Sequence, residues 1–177
     1  MKNFFIATIL LFFCGSSFAQ IDQSSWLVGG NIAYESSKVA DVTTSAFAFS
    51  PNVGYFLIDK FAGGIRGAFA SAKVSGEDAV TTNSIGPFLR YYFLDKKGKT
   101  NLFLDGNFSF GSTSMLGESV NHTGYGFMAG PAFFLNKHTA LEITVGYDAL
   151  KAESDDVWTN SFKMGIGFQI HLAPSSK

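Results

Sequence analysis

Cysteine is almost missing from this chain: its 177 residues contain one, Cys14, inside the first apolar stretch. A fold stapled by disulfides is thereby excluded. Long hydrophobic runs are missing too. The one apolar run, Phe4 to Phe13, falls short of the roughly 20 residues with which a helix crosses a bilayer, so any crossing has to be made by strands. Charge is scarce at 15% and nearly balanced at net −1, which leaves no basic field for nucleic acid. With one cysteine and no paired histidines, a zinc or other transition-metal site has no ligand set, and no cofactor is expected. Neither a glycine-rich phosphate loop nor a catalytic motif is found.

What the chain has in excess is phenylalanine, 20 residues, and glycine, 19. Its beginning reads as an export signal: Lys2, the apolar run, then Gly15-Ser16-Ser17-Phe18-Ala19 with Ser17 and Ala19 at the two small positions of a cleavage site. Cleavage would divide the chain into a leader, 1–19, and one mature domain, 20–177. Lipidation of Cys14 is disfavoured by the bulky Phe13 before it.

Along the mature chain, polar and apolar residues alternate with period two, the mark of strands with unlike faces. The clearest case is the last, where Phe162, Met164, Ile166, Phe168, Ile170 and Leu172 oppose Ser161, Lys163, Gly165, Gly167, Gln169 and His171. The same division recurs over about 25–35, 46–57, 61–71, 84–94, 102–112, 124–135 and 141–150. Eight segments of about ten residues predict an all-β fold, an eight-stranded antiparallel up-and-down transmembrane β-barrel. Short turns near 58–60, 95–100 and 136–139 alternate with polar stretches near 36–45, 72–83, 113–123 and 151–160, expected as longer surface loops. That places both termini on the periplasmic, short-turn side.

Three prolines, Pro51, Pro87 and Pro131, begin similar descents into an aromatic end and a turn, a weak hairpin repeat. Proline cannot donate to a ladder, so each is expected to mark a bulge or a limit of regular pairing.

Volume and charge decide which face points out. The bulky apolar set outsizes the opposing Gly, Ala, Ser and Asn, and a small barrel has little interior room. Charges fall on the small-residue face, where Arg or Lys avoids a cost of about 2–4 kcal/mol at the bilayer midplane. A lumenal ion network is therefore expected from Glu35, Arg66, Arg90, Asp105, Glu142, Asp148 and Lys163. Counted up from the short turns, Arg66, Arg90 and Asp105 form a low cluster, and Lys163 with Asp148 and Glu35 a high one. Tyr55, Phe56, Phe61, Tyr91, Tyr92, Phe93, Phe133 and Phe134 gather at the short-turn end as an interfacial girdle would.

The motifs Pro51-Asn52-Val53-Gly54-Tyr55-Phe56, Gly86-Pro87-Phe88-Leu89-Arg90-Tyr91-Tyr92-Phe93, Ala140 to Tyr147 and Gly165 to Ile170 resemble the outer-membrane β-barrel domain family that includes the OmpA and OmpX type of eight-stranded proteins. The likeness runs over nearly the whole mature chain. It implies residence in the outer membrane among its lipids, and a last strand carrying the assembly signal for the barrel-insertion machinery, with Lys163, Gly165, Phe168 and Ile170 at its polar, glycine and hydrophobic positions. That strand closes on Leu172 rather than a terminal Phe.

These readings lead to a monomeric, non-enzymatic barrel with a structural or surface-interaction role, an ion-paired lumen, and an extracellular ligand or surface met by the loops. A small-solute channel is the first rival. The second is a lipid-modifying enzyme built on His122, Ser119 and Glu118, and the third a soluble ligand-binding barrel. His138 and His171 are expected in a turn and in the interior, and the run of Glu153, Asp155 and Asp156 as solvated loop.

Overall fold

A computed structural model describes residues 21–39, 42–74, 76, 78–95, 98–116, 118–153 and 157–173, the side chains of 35–39, 42–44 and 74 excepted. The leader read over 1–19 and the pair Asp155 and Asp156 lie outside the described residues. Eight strands follow one another: β1 (Trp26–Val39), β2 (Val42–Ile58), β3 (Phe61–Val74), β4 (Val80–Tyr92), β5 (Thr100–Met115), β6 (Glu118–Phe134), β7 (Thr139–Ala152) and β8 (Trp158–Leu172). Each pairs antiparallel with the next, and β8 pairs with β1, closing an up-and-down barrel.

The period-two pattern sets the two faces. Ile32, Ile65, Ile85, Phe127, Ile143 and Ile166 stand on the outside, each at least half exposed. Arg66, Arg90, Asp105 and Glu142 are buried on the inside. An exterior so continuously apolar is unfavourable in water and is solvated by lipid.

The strands run further than the alternation suggests. The β1–β2 ladder continues through Glu35↔Ala46 to Val39↔Val42, and β5–β6 through Gly111↔His122 to Met115↔Glu118. The stretches expected as long loops are largely strand, and the connections at that end shrink to 40–41, 75–79, 116–117 and 153–157. We call this end the rim. The opposite end, where β1 begins and β8 ends, is the base, joined by 59–60, 93–99 and 135–138. Rim connections are therefore no longer than those of the base, contrary to the expected contrast. Beyond the apolar band the ladders keep satisfying backbone groups without any hydrophobic face to announce them.

The aromatic girdle also needs correcting. Tyr91, Phe93 and Phe133 face outward, but Phe56, Tyr92 and Phe134 are buried inside, with Phe88 and Phe103 beside them. The lower lumen is thus packed with large rings rather than small residues. Glycines make the room: a Cβ on Gly54 or Gly64 would come within 2.9 Å of the Phe88 ring. The segment before β1 completes this core, with Ile21 fully buried and Lys60 N donating to Ile21 O (2.8 Å), Ser24 N to Phe56 O (2.9 Å) and Phe56 N to Ser25 O (2.9 Å).

Each proline interrupts one ladder and leaves the other whole. Pro51 pairs across β1 while β2–β3 pairing stops between Phe49↔Phe69 and Asn52↔Arg66. Pro87 pairs across β3 and breaks β4–β5 between Ile85↔Phe110 and Phe88↔Asn107; Pro131 pairs across β5 and breaks β6–β7 between Ala129↔Val145 and Ala132↔Glu142. The register is the same on both sides of every gap, so these are lapses in pairing and not bulges. The one register shift in β2–β3 lies lower, between Phe56 and Ile58.

Candidate functional site: the barrel lumen

Direct cross-strand pairing sets Arg90 opposite Asp105, and Nε of Arg90 donates to Asp105 Oδ2 at 2.9 Å. Arg66 reaches the same carboxylate from β3 with both guanidinium ends, Nη1 to Oδ1 at 2.6 Å and Nη2 to Oδ2 at 2.8 Å. Opposite Arg66 on β4 is Gly86, which places no side chain between them. On the other side Arg90 Nη1 donates to Glu142 Oε1 of β7 at 2.8 Å. Two cations and two carboxylates, all buried, thus cross the lumen from β3 through β4 and β5 to β7. Removal of one partner from such a group costs about 3–5 kcal/mol, because the remaining charge is left without compensation.

Below the ions lie the rings. Arg90 stands over Phe103 with its guanidinium carbon 4.3 Å from the ring centre, and Arg66 over Phe88 at 4.6 Å. Such contacts favour a desolvated cation. The Tyr92 hydroxyl is 3.3 Å from Arg90 Nη1, 3.4 Å from Glu142 Oε1 and 3.3 Å from His171 Nε2. His171 itself packs among Phe56, Tyr92 and Phe134. Asn52 and Gln169 exchange two amide hydrogen bonds of 3.1 Å between β2 and β8. Every one of these side chains is set by strand parity and register, with no loop involved.

The residues read as a high cluster are arranged more loosely. Lys163 Nζ meets Asp148 Oδ2 at 2.5 Å, yet the lysine side chain is 57% exposed. Glu35 lies on β1, but its side chain is outside the described residues. Of the assembly-signal positions on β8, Lys163 and Gly165 face inward, while Phe168 is about half exposed on the outside with Ile170 on the same face.

The acyl-transfer constellation is not assembled. Ser119 and His122 are three residues apart on β6 and therefore on opposite faces. Ser119 bonds Ser114 at 2.6 Å, whereas His122 is buried with Nδ1 3.5 Å from Thr113 Oγ1. His138 sits at the base, 3.1 Å from the His171 carbonyl oxygen.

Sequence reasoning missed Phe56, Phe88, Phe103, Tyr92 and Phe134 as interior groups. A signal was present: Tyr55-Phe56, Tyr91-Tyr92 and Phe133-Phe134 are doublets within strands, and consecutive strand residues face opposite ways. One ring of each had to point inward.

A closed ring of eight strands, apolar without and charged within, is the architecture of a small membrane barrel. A family model described as the outer membrane protein beta-barrel domain matches residues 5–169. The chain belongs to that family. This outer-membrane barrel matches no curated protein in sequence. Among solved structures it is similar to Neisserial surface protein A, with a TM-score of 0.66 and 17% identity over 82% of this chain and 96% of that one. At that identity the likeness speaks for the fold. The protein resides in the outer membrane, embedded through its apolar exterior.

Proposed function

We propose that this barrel is a closed, non-conducting scaffold that presents its rim at the cell surface, with a structural or surface-interaction role and no enzymatic activity. The observation that carries the reading is the buried group of Arg66, Asp105, Arg90 and Glu142 over the Phe56, Tyr92 and Phe134 layer, a packing that supports a closed lumen at the base. An ion would have to displace fully buried, mutually compensated charges to pass. The placement of Ser119 and His122 on opposite faces removes the support for lipid chemistry at that site.

In the same reading residues 1–19 are removed on export, so the mature chain begins at Gln20, and β8 is recognised by the insertion machinery through Lys163, Gly165, Phe168 and Ile170. The base with its two termini faces the periplasm, and the protein works as a monomer. Planar-bilayer recording tests the central claim: conductance at background is expected, and discrete steps that vanish when the protein is omitted overturn it. Crosslinking on intact cells from rim positions such as Lys73 or Asp78 then identifies what the surface meets; a rim that is inaccessible from outside contradicts the orientation.

A further inference from the structure

The wall of the barrel is not equally complete all round. β1 and β2 pair up to Val39↔Val42, and β7 and β8 up to Lys151↔Trp158, but the β1–β8 ladder ends after seven pairs at Ile32↔Ile166. Above that pair each strand keeps only its hairpin partner. The outward residues of β8 record the parting: Phe168 is 48% exposed, Ile166 61%, Met164 76% and Phe162 87%. At this height the exterior is still apolar, with Tyr34 beside Phe47 on one side of the seam and Met164 beside Val145 on the other. Two strand edges thus face each other at lipid depth with no ladder between them. Lipid supplies neither donors nor acceptors, so an edge placed there has to find a partner.

The two edges fit one another. Extended by one step, the register of the ladder sets Ala33 opposite Gly165, and these are already neighbours: a Cβ on Gly165 would stand 3.2 Å from Ile32 O and 3.8 Å from the Ala33 Cβ. The next steps oppose Tyr34 to Met164, both on the apolar face, and then Glu35 to Lys163, a carboxylate to an amine. A slip of one residue would put Lys163 opposite Tyr34 or Ser36 and mismatch the faces. Lys163 is placed to use this register. Its direct neighbour on β7 is Gly146, which carries no side chain, and its amine reaches diagonally to Asp148 with more than half of the lysine side chain open. Directly opposed residues of an antiparallel pair stand about 4.5–5.5 Å apart at Cβ, closer than diagonal ones, and an ammonium has three donors. Lys163 can therefore keep Asp148 and take a second carboxylate from the seam side.

We propose that the β1–β8 seam is a closable zipper: in the membrane the ladder extends in its present register from Ile32↔Ile166 to at least Glu35 opposite Lys163, and Lys163 latches it by bridging Asp148 of β7 to Glu35 of β1. The seam of seven pairs is the open state and the extended seam the closed one. The closed latch mirrors the group below it, where one carboxylate, Asp105, lies between two cations, Arg66 and Arg90. The inward neighbours at this height include Ala33, Ala48, Gly146 and Gly165, too small to hold the seam by packing, so the ladder and the latch carry the closure. Closure separates the upper lumen from lipid whether or not the barrel conducts, so bilayer recording and the test below fail independently.

The test is made by NMR on the full exported chain reconstituted in lipid nanodiscs. Cross-strand nuclear Overhauser contacts from Tyr34 to Met164 and from Glu35 to Lys163 are expected, with the seam-facing amides of both strands protected from hydrogen exchange up to that height. Contacts in another register, contacts that arise only between differently labelled copies of the chain, or none above Ile32 and Ile166 would overturn the zipper. For the latch, loss of a partly exposed ion pair should speed exchange of the seam amides over 33–35 and 163–165 about threefold, in Glu35→Gln and in Lys163→Met alike. The amides from Trp26 to Ile32 should stay protected in both, which also shows that the variants fold. Glu118→Gln, at a rim carboxylate on β6 away from the seam, should leave exchange at both heights unchanged. Exchange in Glu35→Gln equal to that of the unaltered chain would overturn the latch.

Discussion

The lower and upper halves of the lumen are built on opposite principles. Near the base the wall is paired all round, and the interior is solid with Phe56, Phe88, Tyr92, Phe103 and the Arg66, Asp105, Arg90 and Glu142 group. Toward the rim the inward positions turn small and polar, Ala33, Ala48 and Ser50, a cavity remains between them, and β8 is held on one side only. One strand shows both regimes: Ile166 to Ile170 pairs with β1 and β7, Trp158 to Gly165 with β7 alone. The comparison teaches that packing inside and pairing in the wall go together: where side chains no longer fill the lumen, nothing from within holds the seam shut.

Substitutions can break that contrast, starting at the base. Arg90→Met leaves Glu142 without its cation and Asp105 with Arg66 alone, so unfolding by urea in detergent should show a loss of about 3–5 kcal/mol; an unchanged midpoint would mean that the group contributes nothing to stability. Phe88→Ala opens a hole beneath Arg66 that Gly54 and Gly64 cannot fill, with an expected loss of about 3 kcal/mol in the same measurement. Tyr92→Phe keeps the ring and removes its hydroxyl from Arg90, Glu142 and His171, for about 1 kcal/mol. Lys163→Met, in the upper half, should change stability by less than about 1 kcal/mol, since the Asp148 pair is largely open to solvent. A Lys163 effect as large as that of Arg90 would erase the distinction between the halves.

How much of this was legible beforehand varies with the surroundings of each residue. The order of eight strands and the side facing lipid could be read because the bilayer demands bulky apolar residues at every second position. The strand extensions could not: Ser36, Ser37, Lys38, Thr43 and Thr44 stand beyond that demand, and ladder bonds are indifferent to side chains. Arg90 beside Asp105 was readable by counting from the turns, since neighbouring strands are in register. Glu142 was read as lumenal, but its pairing with Arg90 across the barrel was not, because reaching across a lumen depends on side-chain length and on which rings lie below. The inward rings could have been inferred from the aromatic doublets, but an expected girdle absorbed them.

The seven pairs that close β1 on β8 join residues from the two ends of the chain, Trp26 with Leu172 at the outermost. Hairpins such as β1–β2 form between near neighbours; this junction has to gather nearly the whole chain, at an entropic cost of about 4 kcal/mol. It does so with fewer bonds than any other junction of the barrel. A junction so costly in chain entropy and so short in pairs is expected to be the last to form as the ring closes and the first to be released when it unfolds.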